Sequence, residues 1–417
     1  MKNTNPLVFQ LKSCRMCEGK NLERVVSLSP TPPANAFIAK KDLKTKEKFF
    51  PLQVNFCLDC GQLQLTHVVS PWLLFRNYVY VSSTSSVFIA HFEEYANDLI
   101  KRFKLNKNSH VIDIGSNDGI LLKPLKKNGI KVLGVDPAVK IAKEATKNGI
   151  KTLPRYLNLK LAKEIIKRFG YADVVTANNV FAHINDLDEI VKSVKTLIKE
   201  TGVFVIEFPY LVDFIEKNLF DTIYHEHLSY LSLRPLIALF KRHEMEIFDA
   251  KKVNTHGGSL RVYVKKNPAK FKVQKAVFEF IALEKKLKLD DIKTYKKFAS
   301  KIEKNKRKLI KILTDLRKKN KTIAGYGAPA KGNTLLNYYK IGPNILDYIV
   351  DDSEYKQGLY TPGTHIPVVP FSKIAETRPD YIFILAWNFA TPLINKLSDY
   401  KNGGGHFIIP VPEATIV

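Results

Sequence analysis

Two hydrophobic rhythms alternate along the chain. Residues 111–114 (VIDI), 132–135 (VLGV), 172–175 (ADVV) and 203–206 (VFVI) are short, largely apolar runs. Runs of that kind are the pattern of strands buried on both faces. Between them apolar residues recur at helical spacing, as with Leu121, Leu122 and Leu125. Helices alternating with buried strands predict a doubly wound α/β sheet, with ligands gathered at the carboxyl ends of the strands. Two later runs, 246–253 and 259–266, flank Asn254-Thr255-His256-Gly257-Gly258, a hairpin signal, so this sheet is expected to finish antiparallel. Ahead of it, Phe88, Phe92, Tyr95, Ala96, Leu99, Ile100 and Phe103 are spaced for one buried helix face.

A second α/β unit begins near residue 322. Ile323 and Ala324 lead into Gly325-Tyr326-Gly327-Ala328-Pro329-Ala330-Lys331-Gly332-Asn333, with a helix start at 335–339. Strands over 345–350 and 381–385 end in Asp351-Asp352 and Ala386-Trp387-Asn388-Phe389. Gly325-x-Gly327-x-x-Ala330 approximates a dinucleotide fingerprint, with Asp351 as a ribose acceptor, so an NAD-dependent nucleotide-sugar oxidoreductase is one alternative function. Lys331 and Asn333, on a basic Gly-rich loop at a helix N-terminus, are candidates to hold the nucleotide of a substrate. The segment between the two units, 265–321, carries 21 Lys and Arg against 6 Asp and Glu. Tyr295, Phe298, Ala299, Ile302, Leu309, Ile312, Leu313 and Leu316 give it a helical stripe, which predicts amphipathic helices with a solvated lysine face. The expected division is 1–70, 71–266, a basic helical linker over 267–320, and 321–417.

Composition changes this picture little. At 45% hydrophobic and 25% charged, the chain is in the range of ordinary globular proteins. No apolar run approaches the ~20 residues that span a bilayer. The amino-terminal segment has no long apolar stretch of a secretory signal, so no membrane association and a cytoplasmic location are expected. The net charge of +26 raises a second alternative, a zinc-ribbon RNA-binding or RNA-modifying protein. Charge without aromatic stacking platforms is weak support for it, and no nucleic-acid partner is expected.

Cysteine usage adds a third module. Cys14-x-x-Cys17 and Cys57-x-x-Cys60 are two knuckles separated by 39 residues, with no cysteine left over. Two such turns complete a tetrahedral sulfur site for Zn2+, and four thiolates with no open position make it structural. The intervening residues, including a Pro-rich SPTPPANAF, must form a loop or hairpin.

Candidate chemistry collects after the strands of the first unit. The 111–114 strand opens into Gly115-Ser116-Asn117-Asp118-Gly119, where glycines bring the backbone close to a ligand and Asn117 tolerates positive φ. Asp136, ending the next strand, can accept both ribose hydroxyls of a nucleoside. Asn178, Asn179, His183 and Glu207 lie at later strand ends. The densest polar cluster is Asp221-Thr222-Ile223-Tyr224-His225-Glu226-His227-Leu228-Ser229-Tyr230. H-E-H does not have the spacing of a helical metal site, so an acid/base constellation is the better reading. Together with the family resemblance given below, the cluster makes His227 the expected base, with Glu226 and Tyr224 orienting it or the substrate and His183 assisting at a carbonyl oxygen. His225 is the rival, and only a local turn lets these side chains converge.

Taken in order, the two knuckles, IGSNDG, GVDPA, ANNVFAHI, FDTIYHEHLSY, HGGSLRVY, GYGAPAKGNTLLNY and LAWNF resemble the sugar C-methyltransferases that act on dTDP-linked 4-keto-deoxysugars. The glycine loop resembles the first motif of S-adenosylmethionine-dependent methyltransferases, with Asn117 in place of the middle glycine. The resemblance runs from about Cys14 to about Pro412. It implies a small zinc domain, a central class I methyltransferase domain of Rossmann-like fold and a C-terminal Rossmann-like domain without NAD. The implied cofactors are S-adenosylmethionine, on Gly115, Asn117, Gly119, Asp136, Asn178 and Asn179, and structural Zn2+. The implied partner is a nucleotide-linked keto-deoxysugar between the last two domains, with Tyr78, His183, Tyr224, Glu226 and His227 lining the sugar site. A monomer is expected. The implied reaction is C3 or C5 methylation through an enolate, because the ketone acidifies the neighbouring carbons.

Overall fold

The computed structural model describes residues 6–28, 30–75, 83, 86–255, 257–269 and 271–417. Tyr78 and His256 lie outside the described residues. The first module has strands β1 (Leu22–Ser27), β2 (Gln53–Cys57) and β3 (Leu63–Leu65). Helix α1 (Ser86–Phe103) leads into the central unit. Its strands are β4 (His110–Ile114), β5 (Lys131–Val135), β6 (Thr152–Leu153), β7 (Ala172–Asn178) and β8 (Ile198–Pro209). A short strand β9 (Ser229–Tyr230) follows, then β10 (Met245–Val253) and β11 (Ser259–Lys266).

The central sheet has the order β10-β11-β8-β7-β4-β5-β6. Strands β4 to β8 pair in parallel, and β11 runs antiparallel to both its neighbours. Every residue of β4 is buried, which is why Val111, Ile112 and Ile114 are apolar without alternation. Strand order reverses between β4 and β7, so the crevice at the switch point opens beside the Gly115 loop and Asn178. Strand β8 runs past the expected 203–206, because its pairing with β11 continues to Pro209.

The first module is not closed on itself. Its antiparallel sheet has the order β9-β3-β2-β1, and β9 comes from the end of the YHEHLSY segment. The Pro-rich stretch makes a second bridge: Ile38–Ala39 pairs antiparallel with Leu359–Tyr360 of the last unit. The first link joins the end of the YHEH segment to the zinc module, and the second joins that module to the last unit.

Two basic helices, α2 (Lys275–Lys286) and α3 (Ile292–Lys318), join the units. Helix α3 buries Tyr295, Phe298, Ile302, Leu309, Leu313 and Leu316, as its periodicity predicts. The last unit begins with β12 (Ile323–Tyr326) and α4 (Ala330–Tyr339). Strands β13 (Ile349–Val350), β14 (Val368–Val369), β15 (Tyr381–Ile384), β16 (His406–Ile409) and β17 (Thr415–Ile416) follow. They form a second sheet, β14-β13-β12-β15-β16-β17, parallel up to β16. Helix α4 starts earlier than 335, at Ala330, directly after Pro329, whose fixed φ suits a helix entry. The strand expected over 345–350 is only Ile349–Val350, since Ile345 and Leu346 are held in turns on the Gly342 carbonyl. No helix among the described residues is long and apolar enough to cross a membrane.

Candidate functional site

The four cysteines meet. All four Sγ atoms lie within 4.8 Å of one another. Cys14 and Cys60 are 3.6 Å apart and Cys17 and Cys57 are 3.7 Å apart. Zinc–sulfur bonds of about 2.3 Å at tetrahedral angles call for sulfurs ~3.8 Å apart, so the set fits Zn2+. A hydrogen bond with Cys60 pulls the Cys14 thiol down to about 6, while burial pushes Cys57 up to about 12. A dication removes that competition for protons by holding all four as thiolates. The knuckle also reaches outward: buried Arg15 donates to the carbonyls of Leu65 (3.3 Å) and Leu228 (3.2 Å), and Leu228 directly follows His227.

The first glycine turn is built against the next strand end. Gly115 has φ +67, and a Cβ there would meet Val180 Cγ2 at 2.2 Å. Gly119, at φ +81, is similarly close to Ile150. Close packing of the loop therefore also requires glycine at both positions. Asn117 is left-handed at φ +50, as expected. Asp136 accepts from Asn117 N (2.9 Å) and Ala138 N (2.8 Å), and burial raises its pKa.

One neighbour was missed in the sequence: Asp113, in the middle of β4. It accepts from Thr176 Oγ1 (2.6 Å) and Asn178 Nδ2 (3.2 Å), and burial pushes it up to about 7. A lone acid inside the apolar run VIDI was the available signal. Around this turn Ser116 Oγ, Asp118 Oδ1, Asn178 Oδ1 and Asn179 Oδ1 are buried without a partner among the described residues. Unspent hydrogen-bonding capacity at strand ends fits a ligand dense in polar groups, as S-adenosylmethionine is. Glu207 is committed elsewhere, accepting from Arg261 Nε (2.9 Å) and facing His91 Nε2 at 2.8 Å, which ties β8 to β11 and α1.

The YHEH segment makes the local turn that convergence requires, with His227 N donating to Tyr224 O at 2.9 Å. Its side chains then separate. His227 Nδ1 is 2.7 Å from Thr222 O, and Nε2 is 2.8 Å from the Tyr224 hydroxyl. A carbonyl only accepts, so Nδ1 carries the proton and the Tyr224 hydroxyl donates to Nε2. The His183 ring stands edge-on to His227, centroids 4.9 Å apart. His225 is turned into the core against Phe50, and burial lowers its pKa to about 4. Glu226 orients neither histidine: it accepts from Asn35 Nδ2 (2.7 Å), and burial pushes it up to about 7. Asn35 sits in the Pro-rich stretch and was not foreseen. Tyr78, expected in the same site, lies outside the described residues.

From the other side comes the last unit. Lys331 hydrogen-bonds Asn388 and lies 3.8 Å over the Trp387 ring. Burial lowers its pKa to about 8. Asn333, expected beside it, is buried instead and donates to Ala34 O at 2.8 Å. The Trp387 indole donates to Asp221 Oδ2 (2.6 Å), two residues the sequence displays but did not connect.

Three family models match in chain order. They are described as "Putative zinc binding domain" (residues 14–75), "Methyltransferase domain" (88–249) and "C-methyltransferase C-terminal domain" (254–412). The chain is 35% identical to C-methyltransferase NovU of Streptomyces niveus, over 99% of this chain and 98% of that protein. A ubiquinone biosynthesis O-methyltransferase of Pelagibacter ubique is 31% identical over 26% of this chain and 48% of its own length. Among solved structures, an S-adenosylmethionine-dependent methyltransferase from Clostridium acetobutylicum aligns with TM-score 0.35 at 15% identity, covering 43% of this chain and 92% of that one. Near-complete coverage by one relative, three models in register and a thiolate site in the first of them lead to one assignment: the chain belongs to the C-methyltransferase family, as an S-adenosylmethionine-dependent enzyme with a zinc-binding amino-terminal domain.

Proposed function

We propose that the enzyme methylates C3 or C5, beside the ketone of a nucleotide-linked 4-keto-deoxysugar, and that His227 is the base. The observation that carries this reading is the locked imidazole: Nδ1–H on the Thr222 carbonyl and the Nε2 lone pair on the Tyr224 hydroxyl. A neutral histidine in one tautomer, beside a second histidine and a phenol, is equipped to take a proton and to stabilise the oxyanion that results.

S-adenosylmethionine supplies, when bound, an electrophilic methyl group that a carbon nucleophile accepts. The chain's own residues make that nucleophile. The entering ketone oxygen competes for the Tyr224 hydroxyl proton, which uncovers Nε2. The carbon–hydrogen bond beside the ketone breaks, its proton goes to Nε2, and the electron pair moves into a carbon–carbon double bond and an enolate oxygen. Tyr224 and His183 donate to that oxygen. Gly115, Asn117, Gly119, Asp136, Asn178 and Asn179 hold the cofactor, and Lys331, at the edge of the last unit, meets the nucleotide. Sequence similarity to a C-methyltransferase over nearly the whole chain supports the reaction class.

The test is a panel of nucleotide-linked 4-keto-deoxysugars incubated with S-adenosylmethionine and read by the mass gain of one CH2. His227→Asn should lose exchange of the substrate α-proton into deuterated water by roughly 10²-fold or more, with cofactor affinity intact. His225→Asn should keep exchange, and the reverse pattern would overturn the assignment.

A further inference from the structure

The turn that carries the His227 acceptor is held from the C-terminal domain. Residues Phe220–Thr222 form a 3-10 turn whose amides close on Leu219 O (3.1 Å) and Phe220 O (2.9 Å). Phe220 stacks on Tyr339 of α4, centroids 5.2 Å apart and planes 17° from parallel. Asp221 is wholly buried. Its Oδ2 takes the Trp387 indole N–H at 2.6 Å, and its Oδ1 has no partner among the described residues. Burial pushes this carboxylate up to about 6, against Lys331 lying over the same indole, the Trp387 N–H and the backbone amides of Asp221 and Thr222, which favour its charged form. One residue further on, the Thr222 carbonyl accepts the His227 Nδ1–H at 2.7 Å. A buried carboxylate that loses its donor must move or gain a proton, because an unpaired buried charge is costly. Either response shifts the turn and the carbonyl at its end.

We propose that Trp387 is a positioning residue for the reaction: through Asp221 it fixes the turn whose carbonyl holds the His227 tautomer, so that the C-terminal domain completes a base carried by the methyltransferase domain. This rests on the reading of His227 as the base. It gives the last domain a task in the chemical step, separate from any contact with substrate. It also makes proton abstraction depend on docking of that domain.

Trp387→Phe in the full-length zinc-loaded protein removes the N–H and leaves a ring beneath Lys331. Trp387 is half-buried in a surface turn, so the fold tolerates the change. Melting temperature should fall by a few degrees, the cost of a lost donor to a buried carboxylate, while S-adenosylmethionine affinity is unchanged. Exchange of the α-proton of a dTDP-linked 4-keto-deoxysugar, with S-adenosylhomocysteine bound, should fall roughly tenfold to hundredfold, the scale of a misplaced catalytic group. Nitrogen NMR of histidine-labelled protein should show His227 passing from a single Nδ1–H tautomer to a mixture. Asp221→Ala should lose a similar factor, and the double variant no more than either single one. Wild-type exchange with an unchanged His227 spectrum in Trp387→Phe, or losses that add in the double variant, would overturn the proposal. A His227→Asn variant that keeps exchange would instead sink the base reading, while the tautomer spectrum still reports whether Trp387 holds the ring.

Discussion

The molecule contains the same strand-to-helix turn twice, and the two copies have different fates. After β4, Asp136 accepts from Asn117 N and Ala138 N. After β12, Asp351 accepts from Ala328 N (2.7 Å) and Ser353 N (2.9 Å), with the loop donor one residue nearer its glycine than in the first turn. Both turns open with a left-handed glycine lodged against a neighbouring strand end, Gly115 on Val180 and Gly327 on Ala386. What differs is the capacity left over. The first turn keeps buried polar atoms of Ser116, Asp118, Asn178 and Asn179 unpaired among the described residues. The second uses most of its capacity inside the protein, leaving Asn333 Oδ1 unpaired among the described residues. Lys356 bonds both Asp351 (3.3 Å) and the Ala328 carbonyl (3.1 Å), Tyr326 meets Lys396 (3.1 Å), and Asn333 donates to Ala34. A fingerprint describes a backbone shape. Whether the shape serves a ligand depends on how many of its donors and acceptors the fold has already paired.

The largest test of this contrast goes through the metal. The second turn's helix leans on the Pro-rich stretch of the zinc module through Asn333, and Glu47, further along the same module, accepts from Gly363 N (2.9 Å) and pairs with His365 (2.6 Å). Cys57→Ser should lose zinc and melting temperature together, drawing on the roughly 10 kcal/mol scale of structural zinc. Amide exchange should quicken over 34–39, 330–339 and 359–365 and stay slow over 111–120. Metal-free protein with full stability would remove the structural role of zinc, and equal loosening of both turns would remove the contrast. A smaller effect separates the two aspartates. Asp136→Ala should weaken S-adenosylmethionine binding by ~1.5–3 kcal/mol, the scale of a charged hydrogen bond. Asp351→Ala should leave that affinity unchanged by calorimetry, and NADH fluorescence should show no saturable binding to either form.

How much of this was legible in the sequence follows from the range of each interaction. The buried strands, the closing hairpin, the stripe on α3 and the cysteine pairs are patterns within a few residues, and they were readable. The choice of His227 over His225 needed a turn to be formed, and the burial of His225 against Phe50 joins residues 175 positions apart, which no local pattern encodes. Glu226 was expected to orient His227 or the substrate. Its partner is Asn35, from a proline-rich loop whose composition announces only irregular backbone. Trp387 and Asp221 were both visible in conspicuous motifs, yet their bond spans two domains. The second glycine turn approximates a dinucleotide fingerprint, and that fingerprint is silent about the tertiary contacts Lys356 and Asn333 make there.

A final test probes what the open turn costs the folded chain. Burial pushes Asp113 up to about 7, against the hydrogen bonds of Thr176 and Asn178, which favour its charged form. Its folded pKa is raised, so between about pH 4 and pH 7 the folded state binds more proton than the unfolded chain. Stability attributable to this group therefore falls as pH rises through that window and stays at its lower value above it. Asp113→Asn keeps an acceptor for the Thr176 hydroxyl and removes the buried charge. The variant should be more stable than wild type at pH 8, by up to about 4 kcal/mol, the linkage limit for a carboxyl raised to about 7, with the advantage closing as pH falls toward 4. Asp351→Asn, at the paired turn, weakens the contact with Lys356 and should gain nothing at any pH. Melting temperatures of the two variants across pH 5 to 8 decide the matter. If Asp113→Asn is the less stable protein throughout, the carboxylate is not a cost in the ligand-free state. If it is more stable, the cofactor's sulfonium charge gives a reason for keeping the acid, and saturating S-adenosylmethionine should then raise the melting temperature of wild type more than that of the variant.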